Sequence, residues 1–279
     1  MIQNWLVLII ISGLASNGFN TVLRHTLKNN QDSTAYAWWF EVLRTTFFLL
    51  LLPWDHQYIH SPSNLFWLLT LGISEVIAVY TYMRMHASTE LSISSIITRM
   101  RSIWIAILAF IFIGERLTMW QYIGVLIIVL GTLVVRESGK IKIDKSLKTT
   151  LIFTFASAIS TIIMKHTTSY ASTAIINLAF SLPSIILLPM LMRNPAPRIK
   201  ISFTTTIKSN VTASIFNILT MLTMVAALKL ANASQVVGVF QGITMLTVVM
   251  GIFILNERDH KVRKLFAAAI TTVGILLLV

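Results

Sequence analysis

Ten apolar runs follow one another along the 279-residue chain, each near the ~20 residues that a helix needs to cross a bilayer. They cover 5–23, 35–53, 65–83, 91–113, 119–135, 149–165, 172–192, 209–228, 234–255 and 265–279. A chain built this way has more apolar surface than one water-soluble core can hide. The expected fold class is therefore all-α integral membrane, with ten transmembrane helices. The sequence is 56% hydrophobic and 11% charged, where soluble domains carry about 25% charged residues.

The longest polar joins, RESGKIKIDKSLK (136–148) and RNPAPRIKISFTTTIK (193–208), are too short for a soluble domain. Function has to lie inside the bundle. At the N-terminus, MIQNW has no basic stretch, and the first run ends on Arg24 and Lys28 rather than on small residues, so it reads as a retained span. The absence of cysteine excludes disulfides, thiolate metal sites and cysteine nucleophiles.

The net charge of +12 would suit nucleic acid if it were spread over one surface, but its distribution says otherwise. Counting joins alternately, 16 of the 22 Lys and Arg fall on one side: Arg24, Lys28, Arg84, five in 136–148, four in 193–208, and Arg258, Lys261, Arg263 and Lys264. Only Arg116, Lys165 and Lys229 fall on the other. The positive-inside rule accounts for this without a nucleic-acid partner. It places the basic joins in the cytoplasm and both termini outside, in a multi-pass plasma (inner) membrane protein.

The chain also repeats itself. ASNGFNTVLRHT (15–26) aligns with ASAISTIIMKHT (156–167), which sets Arg24-His25-Thr26 on Lys165-His166-Thr167. AFIFIGER (109–116) aligns with VMGIFILNER (249–258). The repeat unit is five spans, 1–142 and 143–279. Five is odd, so two copies enter the membrane in opposite orientations, the inverted-repeat plan of many secondary transporters. Overlaying the halves puts Glu41 on Asn177, Arg44 on Phe180, Glu75 on Asn217 and Arg99 on Gln241. Charged residues of the first half meet neutral ones in the second.

These residues carry a family resemblance. The paired GERLT (114–118) and NER (256–258) signatures, WWFEVLRTTFFLLLL (38–52), and the entries STELSISS (88–95) and LANASQVV (230–237) resemble ten-span members of the drug/metabolite transporter superfamily, of the EamA type. The resemblance implies ten helices around a central cavity, alternating access, and carriage of small organic solutes such as amino acids. Arg44 and Arg99 fall on positions that match the family's pattern. Glu75 stands where members usually carry a small or apolar residue.

A charge inside a span costs about 2.5–3.5 kcal/mol at the membrane centre and normally faces a partner or a watery cavity. Glu41, Arg44, Glu75, Arg99 and Arg101 are such charges. Glu41 and Arg44, spaced i,i+3, can neutralise each other, whether as a structural pair or as part of a substrate or proton site. Arg99 and Arg101 lie about 200° apart on one helix, so only one can face a cavity. Arg99, deeper in its span, is the expected lining residue, with a helix-locking salt bridge as its alternative role. Arg101 is expected to snorkel to the headgroups. Tyr80 and Trp104 are candidate lining aromatics, and Gln241 supplies neutral hydrogen bonding. Glu115 and Glu257 read as structural residues at helix joints, and Thr118-x-x-Gln121 has capping-box spacing.

No HExxH, GxGxxG or GxxxxGKS motif and no acidic cluster supports an enzyme, a metal site or a cofactor. The reading is a secondary transporter whose partners are a small-molecule substrate, membrane lipid and, as candidate coupling ion, the proton. Arg44 and Arg99 would hold an anionic group, Glu41 and Glu75 an amino group or a proton. A channel or lipid scramblase is the alternative.

Overall fold

The computed structural model describes residues 4–28, 31–113, 118–134, 145–244, 246–257 and 259–278. Glu115, Arg116, Arg258 and most of the 136–148 join lie outside them. Among the described residues there are twelve helices and no strand. They are α1 (Asn4–Leu27), α2 (Ser33–Leu51), α3 (Pro62–Ser88), α4 (Leu91–Ile97), α5 (Met100–Ile113), α6 (Met119–Val134), α7 (Lys145–Thr167), α8 (Thr173–Met190), α9 (Pro195–Leu230), α10 (Ala233–Ile243), α11 (Leu246–Phe253) and α12 (Lys261–Leu278). Every apolar run of the sequence lies on helix. Two runs are broken: 91–113 at Thr98–Arg99, and 234–255 after α10, whose cap is Thr244.

Local chemistry sets several boundaries. Asp32 accepts from the N–H of Thr34 and Ala35 to open α2, and Ser61 accepts from Asn64 N–H ahead of Pro62 to open α3. Thr118 and Gln121 form the expected capping box on α6, with Thr118 N–H donating to Gln121 Oε1 at 2.8 Å and Gln121 N–H to Thr118 Oγ1 at 3.4 Å. The 193–208 join, in contrast, is not a loop. Left-handed Asn194 (φ 55°) ends the previous segment, and one helix of 36 residues runs from Pro195. Thr204 and Thr205 donate to Ile201 O and Thr206 to Ser202 O, so a stretch that reads as polar satisfies its hydroxyls on its own helix.

Among the described residues seven helical stretches, two of them α4–α5 and α10–α11 taken together, are long and apolar enough to cross a membrane. Of the rest, α2 carries Glu41 and Arg44, α6 has 16 residues, and α12 opens on Lys261, Arg263 and Lys264. The bundle is apolar outside and polar within: Leu50, Phe112, Ile186 and Leu276 are exposed, while Ser12, Asn17, Asn177 and Thr271 are buried. An outer surface of that kind suits lipid.

The helices pack in antiparallel pairs. On α1 and α9, Ser12 donates to Thr220 O while Gly18 abuts Phe216. On α3 and α7, Trp67 meets His166, Ser74 meets Ser160 and Tyr82 meets Phe153. On α2 and α8, Trp38 donates to Ile185 O and Thr45 to Ser181. The α6–α12 pair is close as well: a Cβ on Gly274 would stand 2.7 Å from Gly124 O. Small residues at such crossings let backbones approach, which is how helices gain packing contacts in lipid.

Candidate functional site

The interior polar groups converge on a cavity of about 150 Å³ bordered by residues of both chain halves. At its centre Arg44 Nη2 donates to Glu41 Oε2 at 2.5 Å and reaches Glu75 Oε1 at 3.5 Å. The guanidinium carbon lies 4.9 Å from the Phe180 ring centroid and 5.3 Å from that of Phe40. Arg44 and Glu41 are 1% and 0% exposed, so each carboxylate and ring face replaces solvation that the arginine has lost.

Of the residues expected from sequence, Arg44, Glu75 and Gln241 border the cavity. Glu41 stands behind Arg44, off the wall. Arg99 does not border the cavity; Arg101 does. Depth in the span, which favoured Arg99, does not decide which side chain borders the cavity, because the helix is interrupted at Thr98–Arg99. Arg99 sits in the Thr98–Arg99 turn and points Nη1 at Thr272 Oγ1 of α12, 2.9 Å away. Arg101, the second residue of α5, donates to Thr161 of α7 rather than snorkelling. Registering the halves on their breaks, Thr98 on Thr244, sets Arg101 on Thr247, which also borders the cavity.

Tyr80 and Trp104 lie off the cavity as well. The cavity face of α3 is Glu75, Ala78, Val79, Tyr82, Met85 and His86, a helical stripe that Tyr80 misses. Tyr80 instead accepts from Arg84, whose guanidinium lies 5.1 Å over its ring. Trp104 turns to α7 and meets Phe155 edge-on at 5.1 Å. Tyr82, hydrogen-bonded to Asn20, takes the place expected of Tyr80. Counting three, four and seven residues on from Glu75 would have found it.

An ionic cluster stands near the cavity. Arg24 pairs with Glu257 at 3.3 Å, Leu91 N–H donates to the same carboxylate at 2.8 Å, and Lys264 bonds Glu90 and, at 3.0 Å, Glu257 O. Glu257 thus ties α1, α4 and α12 together, a wider role than that of a helix joint.

No protein of curated function matches the sequence. A crystal structure of a protein 12% identical in sequence shares the fold, with a TM-score of 0.64 over 97% of this chain and 97% of that one. The model of the EamA-like transporter family matches residues 3–136, the part of the chain that supplies Glu41, Arg44, Glu75 and Arg101. The first half of the chain, residues 3–136, is thus similar to the EamA-like transporter family, and the whole is a multi-pass membrane protein.

Proposed function

We propose that the protein is a secondary transporter of the plasma (inner) membrane that moves a small organic solute, an amino acid or related zwitterionic or anionic metabolite, by alternating access. Its ten spans form two inverted five-helix repeats, residues 1–142 and 143–279, with α4–α5 and α10–α11 each counting as one broken span. The carrying observation is that charged groups of the first half and neutral polar groups of the second border one cavity between them.

Packing supports the repeat. Exchanging the halves turns α1 on α9 into α7 on α3, α2 on α9 into α8 on α3, and α5 on α7 into α11 on α1, and all six contacts occur. The interrupted spans fall in corresponding places, as they do where transporters bind solute at the membrane midplane. Arg44, Glu75 and Gln241 then contribute to the polar wall, and Glu41 fixes Arg44. Protons are the proposed coupling ion, with Glu75, the carboxylate bordering the cavity, as their carrier.

Counterflow in proteoliposomes tests the reading. Labelled amino acid should accumulate transiently against preloaded unlabelled amino acid. A channel or scramblase would only dissipate the gradient.

A further inference from the structure

We infer that Arg101, rather than Arg44, recognises the anionic group of the solute, and that methionines of α7 and α9 receive its apolar body, so that the solute class is an amphipathic carboxylate. This assignment rests on the transporter reading above.

Three arginines lie in the core, and their partners separate them. Arg44 is held by two carboxylates and two ring faces, as described, and a solute anion there would have to displace Glu41 or Glu75. Arg99 is fully buried against α12, away from the cavity. Arg101 borders the cavity with one neutral hydroxyl, that of Thr161, as its hydrogen-bond partner. Its Nε is buried with no partner among the described residues, and although the charge of Glu75 acts on it, no carboxylate of those residues lies within salt-bridge distance. A guanidinium presents its donors as a planar fork that matches a carboxylate, and in a poorly solvated place such a bond is strong.

The apolar wall begins beside it. Met164 is one helical turn beyond Thr161 on α7, so it lies about 5 Å along the helix from the group that positions Arg101. Met221, Met224 and Leu228 line the cavity along α9, one turn apart. Thioether side chains are unbranched and polarisable, and they adapt to apolar groups of different shape. Glu75, on the wall between Arg44 and Arg101, faces the position of an ammonium in a zwitterion. The ionisable groups around that site are Glu41 and Arg44 of α2, Tyr82 and His86 of α3 and Arg101 of α5.

The test uses the full-length protein in proteoliposomes with four probes: leucine, isocaproate, which lacks the amine, leucinamide, which lacks the carboxylate, and glutamine, which lacks the apolar body. Wild type should exchange leucine and isocaproate and discriminate against leucinamide and glutamine. Arg101→Gln should lower leucine and isocaproate exchange by about 10- to 100-fold, the worth of a hydrogen bond to a charged group. Arg101→Lys should recover part of it. The melting temperature of purified Arg101→Gln should change little, since Arg101 gives up one hydrogen bond to a neutral hydroxyl and no salt bridge, whereas loss of a structural ion pair would lower it. Met224→Ser should weaken leucine exchange and leave the ratio of leucine to leucinamide unchanged.

Leucine exchange that survives Arg101→Gln, or equal exchange of leucinamide by wild type, overturns the assignment and leaves the transporter reading intact. If wild type exchanges none of the four, the proposed substrate class and this assignment fail together.

Discussion

Arg24 and Lys165, matching residues near the ends of α1 and α7, each donate to two carbonyls at the end of another helix. Arg24 Nη1 reaches His86 O at 2.8 Å and Ala87 O at 3.3 Å on α3; Lys165 Nζ reaches Leu228 O at 2.5 Å and Ala231 O at 2.8 Å, at the end of α9. Cations favour helix C-termini, where carbonyls lack partners. Because α1 and α9 run antiparallel, the two contacts lie at opposite ends of the bundle.

These contacts act as latches in the alternating-access reading, and breaking one should favour opening at its own end. A cysteine at Thr98 on the cavity wall, in this cysteine-free chain, reports access from either membrane face. Arg24→Ala should raise labelling by an impermeant thiol reagent from its own face and lower it from the other, by about three- to tenfold if one or two hydrogen bonds are lost. Lys165→Ala should do the reverse. Changes of the same sign in both variants would show that the contacts are not reciprocal.

Arg44 balances two carboxylates, so its loss should cost more than the loss of either. Arg44→Gln is expected to destabilise the folded protein by about 3–5 kcal/mol, the usual cost of breaking a buried pair. Glu41→Gln should cost less, because Glu75 remains as a partner. The double variant Glu41→Gln/Arg44→Gln should recover abundance over Arg44→Gln alone. Melting curves and membrane yield measure this directly, and a double variant no more abundant than the single would break the link between the residues.

At the α6–α12 crossing, a methyl on Gly274 would meet Gly124 O at 2.7 Å and Ile128 N at 2.9 Å, backbone atoms that cannot swing aside. Gly274→Ala should therefore destabilise by about 1–3 kcal/mol through overpacking. Adding a methyl at Gly242, which has no neighbour within 4 Å of the new Cβ, should cost less. Equal melting temperatures for the two variants would contradict the observed closeness.

At the start of α2, Asp32 meets Arg198 of α9 through two bonds of 2.5 and 2.8 Å. Burial opposes ionisation of Asp32, but the Arg198 bonds and the N–H groups of Ala35 and Thr34 prevail and hold its carboxyl below the ordinary 3.8. A lowered folded value means stabilisation that is complete above 3.8 and lost as pH falls through the folded value. Asp32→Asn, which keeps the helix cap, should cost about 1 kcal/mol or less near neutrality because the pair is partly exposed. The difference from wild type should vanish in acid. A gap that persists below the folded value would mean that the cap, and not the charge, carries the effect.

Most of the helical scaffold was legible because apolar runs of spanning length have few alternatives, and the capping box on α6 was readable from two side chains. The site was legible only where a helix is regular. Arg44 and Glu75 sit within unbroken helices, and counting residues places both on the cavity. Arg99 lies in a break that no glycine or proline marks and Arg101 just past it, so depth along an assumed continuous span favoured the arginine that turns to α12. Residues 195–208 were hidden differently: their threonines bond their own helix and so look like loop. The Glu257 cluster joins residues from both ends of the chain, a proximity that only packing creates.

The contact between Arg44 and Phe180 has a consequence for descent. The two residues are counterparts in the overlay of the halves, and they touch. Had duplication produced identical copies, two arginines would have met at this spot, repelling each other by about 3 kcal/mol at 5 Å for an effective dielectric of 20. A position whose two copies meet cannot carry the same charge twice. In the proposed repeat, therefore, only one of the two copies can keep its arginine in a dry interior, and divergence at this point of contact is a condition for keeping the ion pair.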